Sequence, residues 1–297
     1  VAYQFKRGEP VPEGIRRIAR EQLEAAVDSL NGESKRDAAI HDARKRVKKT
    51  RALLRLVKDE LGDVYVAENT RLRDSGRGLS AFRDAAAIIG TFDDLCERYR
   101  DELGNHNLDS IRRGLLLHKT RAERKAGIKD ALHKISASLA HSAKRTGRWT
   151  LATDGFAAIA PGLEDTFRRG AKALADVRKH PRSESFHEWR KRVKDHWYHV
   201  RLLEDLWSDV MSGYEKSLKQ LEDWLGSDHN LTVLRERIAA EPEFYGTAQD
   251  IDLLMSLMSR QEKEWRDCAL RMGERVYLEA PGRFRRRMAQ LWETWQG

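Results

Sequence analysis

Cysteine and proline are both scarce in this chain of 297 residues, which has two of the first and six of the second. Cys96 and Cys268 cannot build a disulfide framework or a cysteine-rich zinc site, and their small number points to a reducing compartment. Strand signals are nearly missing: there are few β-branched runs, no hairpin of Asn-Gly or Asp-Gly type set between alternating residues, and no sustained alternation. No stretch approaches the roughly 18 uninterrupted apolar residues of a membrane span. The opening VAYQFKRGEPVPEG also lacks the apolar core of a secretory signal. Acids are outnumbered, 47 Asp and Glu against 56 Lys and Arg, a formal charge of +9. The expectation is a basic cytoplasmic protein, away from membranes, with an anionic partner.

What is present is helical periodicity. With 40% hydrophobic residues the chain is too apolar, and too regularly patterned, for disorder. The spacing predicts helices at about 12–30, 35–60, 63–101, 109–146, 163–179, 183–207, 209–240 and 248–292. Asp109 and Ser183 are placed to cap two of them, and Pro281-Gly282 is expected to kink or break the last. The stretch TLATDGFAAIAPG (150–162) reads as a linker. The predicted division is therefore a first four-helix unit at 1–146, a linker at 147–162 and a second four-helix unit at 163–297.

The two units share a motif. HDARKRVKKTRALLRL (41–56) and HEWRKRVKDHWYHVRL (187–202) align without gaps at an offset of 146, which also carries Leu79 onto Leu225, Arg83-Asp84 onto His229-Asn230 and Ile88 onto Leu234. A constant offset over some 50 residues reads as an internal duplication. On a helical wheel His41, Arg44, Lys48, Arg51 and Arg55 fall in one stripe beside an apolar face of Ile40, Ala43, Val47, Thr50, Leu54 and Val57. In the second copy His187, Arg190, Lys194 and Arg201 form the stripe, and Phe186, Trp189, Val193 and Val200 the apolar face. Cations three and four residues apart repel by a few tenths of a kcal/mol per pair, and an ordinary solvated face would intersperse acids among them. Repeating the arrangement at fixed register makes sense if a regularly charged anion lies along it. Metal binding reads as weak: His196 and His199, or His133 and His141, have no carboxylate at helical ligand spacing, and surrounding cations oppose a dication.

At these residues the sequence resembles the CHAD family, the conserved histidine α-helical domain. The resemblance rests on His-x-x-Arg-x-x-x-Lys-Lys-x-Arg at 41–51 and His-x-x-Arg-Lys-Arg-Val-Lys at 187–194, with Tyr198 and the Arg83-Asp84 step. It implies an all-α fold of two four-helix bundles related by a pseudo-twofold axis, with a basic groove between them. It also implies non-enzymatic binding of inorganic polyphosphate or another linear polyanion, often at polyphosphate granules, with no cofactor. The site residues expected are His41, Arg44, Lys45, Lys48, Lys49, Arg51 and Arg55 with His187, Arg190, Lys191, Lys194 and Arg201. A second tier comprises Arg17, Arg20, Arg83, Arg168, Arg169 and Lys172. Asp195, Trp197 and His229-Asn230 depart from the family pattern and predict either a weaker second half or a Trp197 that packs the bundle seam. The nearest match to the Glu-x-Glu-x-Lys strand of fused CYTH triphosphatases, Glu262-Lys263-Glu264-Trp265-Arg266, lies in a helical pattern and reads as chance, so a stand-alone member is expected. The rival readings are an RNA-binding module, which would need exposed aromatics for stacking, and an enzyme using the paired histidines, for which no nucleophile–base pair or phosphate loop is present. A protein-docking surface on the long fourth helices is a further alternative.

Overall fold

The computed structural model describes residues 2–32, 35–104, 106, 108–125 and 127–297, and the side chains of all these except 81–84 and 122–125. Arg83-Asp84, Arg124 and Lys125 therefore lie outside the side chains described. Among the described residues the fold is all-α, with no strand. The first half contains α1 (Val11–Asn31), α2 (Arg36–Leu56), α3 (Lys58–Leu61), α4 (Asp63–Arg98), α5 (Arg100–Leu103), α6 (Asp109–Lys125) and α7 (Ile128–Arg145). The second contains α8 (Gly155–Lys179), α9 (Ser183–Leu202), α10 (Ser208–Ala240), α11 (Pro242–Tyr245), α12 (Ala248–Val276) and α13 (Pro281–Gln296).

Three departures from the periodicity have identifiable causes. The segment expected as one helix at 109–146 breaks at Gly127, whose φ of 52° is left-handed and ends any continuous ladder. Helix α8 begins at Gly155, so residues 155–162 of the expected linker are helical. Gly162 at the end of that stretch permits a close crossing: a Cβ on it would lie 2.0 Å from the carbonyl oxygen of Leu56. Ser183 is the first residue of α9 rather than its cap, and its hydroxyl accepts a hydrogen bond from Arg266 at 3.0 Å. Pro281 breaks the last helix as expected, standing at the first position of α13.

Helices α1, α2, α4 and α7 pack together, as do α8 with α9 and α13, and α9 with α10 and α12 in turn through α10. The halves join where α2 lies against α8 and α9, and where α4 meets α10. The apolar core follows these junctions rather than the sequence halves. One cluster runs from Ile15, Leu23, Leu53 and Leu56 through Leu163 and Phe167 to Trp189, Val193, Val200 and Phe284. A second is built by the far ends of α4 and α10 with α6 and α12, from Ile88, Phe92 and Ile111 to Leu234, Ile238 and Leu254. With 36 and 33 residues, α4 and α10 extend about 54 and 50 Å, long enough to serve both clusters.

Candidate functional site

Both apolar faces read from the motif are buried. Ile40, Ala43, Val47, Thr50 and Leu54 on α2 with Val57 just past its end, and Phe186, Trp189, Val193 and Val200 on α9, are all at most 1% exposed. Burying these faces fixes the roll of each helix, and so decides where the adjoining cations point. They point toward each other. Lys48 lies within electrostatic reach of Arg44 on its own helix and of Lys194 and Arg190 on α9. The α9 row holds an acid from α10: Oε1 of Glu222 accepts from Arg190 Nε at 3.2 Å and from Lys194 Nζ at 2.6 Å. The Arg190 guanidinium lies over Gly226, where a Cβ would come within 3.0 Å of it. A larger residue one turn beyond Glu222 would crowd that guanidinium.

The electrostatics follow from this crowding. Burial, then Lys194, Arg44 and Arg190, pushes the Lys48 ammonium well below the ordinary lysine range, against the pull of Glu222. Burial also lowers Lys194, although Glu222 draws it back. Burial pushes the Glu222 carboxyl up, but Lys194 and Arg190 win and hold it below the usual carboxylate range. At the N-terminal end of the row the His187 and His229 rings lie against each other, tilted by 33° with centroids 4.0 Å apart. Burial, then His187, Arg190 and Lys191, takes His229 down to about 4. Burial, Lys191 and Arg190 lower His187 as well, so both rings are neutral at pH 7.

At the other end the contacts are reciprocal. Arg55 pairs with Asp195 at 2.9 Å, and Lys49 feels Arg201. The offset of 146 exchanges these two pairs, since it carries Lys49 onto Asp195 and Arg55 onto Arg201. Arg55 is thus bridged across the junction rather than presented to solvent. Lys49 is buried, its ammonium 4.8 Å from the centre of the Tyr3 ring. Arg51 donates to Asn69 at 3.0 Å. Arg201 lies 3.8 Å from Glu215 and over the Trp197 ring. Trp197 is only 7% exposed and donates to Glu215, so it packs the seam between α9 and α10.

The remaining expected residues are dispersed. His41 is exposed one turn before Arg44, Lys45 is exposed and pairs with Asp42, and Lys191 is exposed and pairs with Glu188. Of the second tier, Arg17 is held by Glu9 at 2.6 Å and is a structural ion pair. Arg168 and Arg169 bind Asp165, which also receives Lys58. Lys172 is exposed on that same helix α8. Arg20 is exposed on α1, and the side chain of Arg83 is among those not described. His196 and His199 are fully buried, bonded to Tyr214 and to the carbonyl of Ala52. Glu262 to Arg266 lie on α12, where Glu262 and Arg266 pair with each other. The concavity bounded by His118, Arg237 and Tyr245 shares none of the motif residues. Sequence reasoning missed Glu222 and Gly226. The offset places Gly76 and Ser80 opposite them, so the duplicated pattern gives no sign of either.

These buried bases make stability depend on pH. Burial, then Arg201 and Lys45, brings Lys49 down to about 8 from an ordinary 10.5. Between those values the unfolded chain holds more protons than the folded one, so folding becomes more favourable as pH rises. The urea midpoint of the free protein is expected to increase from about pH 8 to about pH 9, before Cys96 and the buried tyrosines, whose acid groups are pushed up by burial, act in the opposite sense. A midpoint that falls over this range would contradict the burial of Lys48 and Lys49.

Comparison with known proteins agrees with this architecture. PptA from Streptomyces chartreusis has a similar fold, with a TM-score of 0.63 over 91% of this chain and 100% of that one, at 16% sequence identity. No curated protein matches the chain by sequence. The model of the CHAD domain matches residues 17–239, a span that holds both motif copies and Glu222, and the chain belongs to the CHAD family.

Proposed function

We propose that this protein binds inorganic polyphosphate without chemically altering it, through Arg44, Lys48, Arg190 and Lys194, with His41 and His187 at the entrance to the rows. The observation that carries the reading is the approach of Lys48, beside Arg44 on α2, to Arg190 and Lys194 on α9, the last two sharing the Glu222 carboxylate. Repulsion among them is relieved by an anion with several charges, and a linear phosphate chain supplies acceptor oxygens for both rows at once. Lys49, Arg55 and Arg201 contribute their field rather than direct contacts, being buried or bridged. Binding without catalysis is supported by the state of Glu222, whose carboxyl is held low by Arg190 and Lys194 and is a weak base. Among the described residues no helix is long and apolar enough to cross a membrane. Recruitment to polyphosphate granules would follow from the binding itself.

The test is a titration with long-chain polyphosphate over a range of salt. Each phosphate engaged releases counterions, so the log–log slope should be about −0.7 to −0.9 per contact, or near −3 for four contacts. Orthophosphate should compete poorly. A slope shallower than about −1 would remove the reading. Displacement by RNA at equal phosphate concentration would favour nucleic acid instead. Trp189, fully buried, and Trp197 leave no exposed aromatic on α9 to stack a base.

A further inference from the structure

We infer that Glu222 is the resident counterion of the cation cluster and sets its preference for long phosphate chains over single phosphates. This rests on the polyphosphate reading and adds a selectivity device to it. The carboxylate is 6% exposed, and its Oε1 already occupies the acceptor position between Arg190 and Lys194 that a phosphoryl oxygen would take. An isolated phosphate must therefore compete with an acceptor tethered to the same molecule, present at high effective concentration. It gains little from the exchange, because one oxyanion replaces another in the same two bonds.

A chain is in a different position. It can engage Lys48, on which Glu222 acts from across the cluster, and then exposed cations such as Lys45 and Lys191 along the helices. Each added contact acts intramolecularly once the first is made. At the matching register of α4 stands Gly76, whose nearest neighbour is Val47 of α2, so this position brings no acid to the first row. The second row is masked by its own carboxylate while the first is not masked from that position.

Glu222→Gln keeps the shape and an acceptor oxygen while removing the charge. Affinities of the full-length wild type and variant are measured by calorimetry for tripolyphosphate and for a long-chain polyphosphate. Tripolyphosphate affinity is expected to rise about tenfold and long-chain affinity by less than about threefold, so the preference for length narrows. An unchanged ratio, or a loss of affinity for both ligands, would overturn the inference and leave Glu222 a purely structural ion pair. Glu222→Asp, which withdraws the carboxylate by one methylene, should move the ratio the same way by a smaller factor. It decides the question in the same manner if the glutamine variant does not fold. Where the wild type retains no long chain at all, the functional reading fails along with this inference. Where it does and the ratio is fixed, only the inference fails.

Discussion

Removing Arg44, Lys48, Arg190 and Lys194 together by alanine substitution is expected to lower long-chain polyphosphate affinity by about a thousandfold or more. Charge-assisted hydrogen bonds contribute about 1.5–3 kcal/mol each, and four of them, discounted for non-additivity, still exceed about 4 kcal/mol. The same substitutions strip Glu222 of both its partners. A buried charge left without compensation costs about 3–5 kcal/mol, enough to unfold a marginal protein. The informative variant therefore carries Glu222→Gln as well, which removes the stranded charge. With that addition the helical spectrum and urea midpoint should stay close to wild type while retention on immobilised polyphosphate disappears. Wild-type retention by the five-site variant would exclude these residues as the binding site.

The roll of α2 and α9 was legible because it depends on a local quantity, the side of each helix that is apolar. Ile40, Val47 and Leu54, or Trp189 and Val193, declare their burial by spacing alone, and the cations between them inherit an orientation. The all-α class follows from the same periodicity. What depends on a second helix was not legible. Glu222 reads as one more acid on an amphipathic helix until Arg190 and Lys194 are placed against it. Arg17 looks like a cation facing an anion until Glu9, eight residues earlier, folds back onto it. Arg55 lies within the stripe by helical angle and Lys49 belongs to the family motif, yet Asp195 bridges the first and Tyr3 covers the second. Glycine was ambiguous for a related reason. In Gly155 to Gly162 the composition of a flexible connection is also that of a tight helix crossing, and only the position of Leu56 separates the two.

That crossing carries the second large effect. Gly162→Ala is expected to cost more than about 3 kcal/mol, seen as a large drop in urea midpoint or as failure to accumulate folded protein. The added Cβ would lie 2.0 Å from the Leu56 oxygen, 2.5 Å from its carbonyl carbon and 2.8 Å from its Cα. All three are backbone atoms, so no rotamer change relieves the overlap, and α2 must move away from α8. Helix α2 carries Arg44 and Lys48, whereas α8 is packed against α9, which carries Arg190 and Lys194. Any displacement at the crossing is thus passed to the spacing of the two cation rows. Molecules of this variant that remain folded should show weaker long-chain binding with no charge removed. The matched control is Gly213→Ala on exposed α10 backbone, where a Cβ meets nothing within 4 Å. There alanine should stabilise by about 0.5–1 kcal/mol through lower chain entropy in the unfolded state, and leave binding unchanged. Equal effects at the two glycines would mean that the close approach of α2 to α8 does not set the stability of the fold or the spacing of its cations.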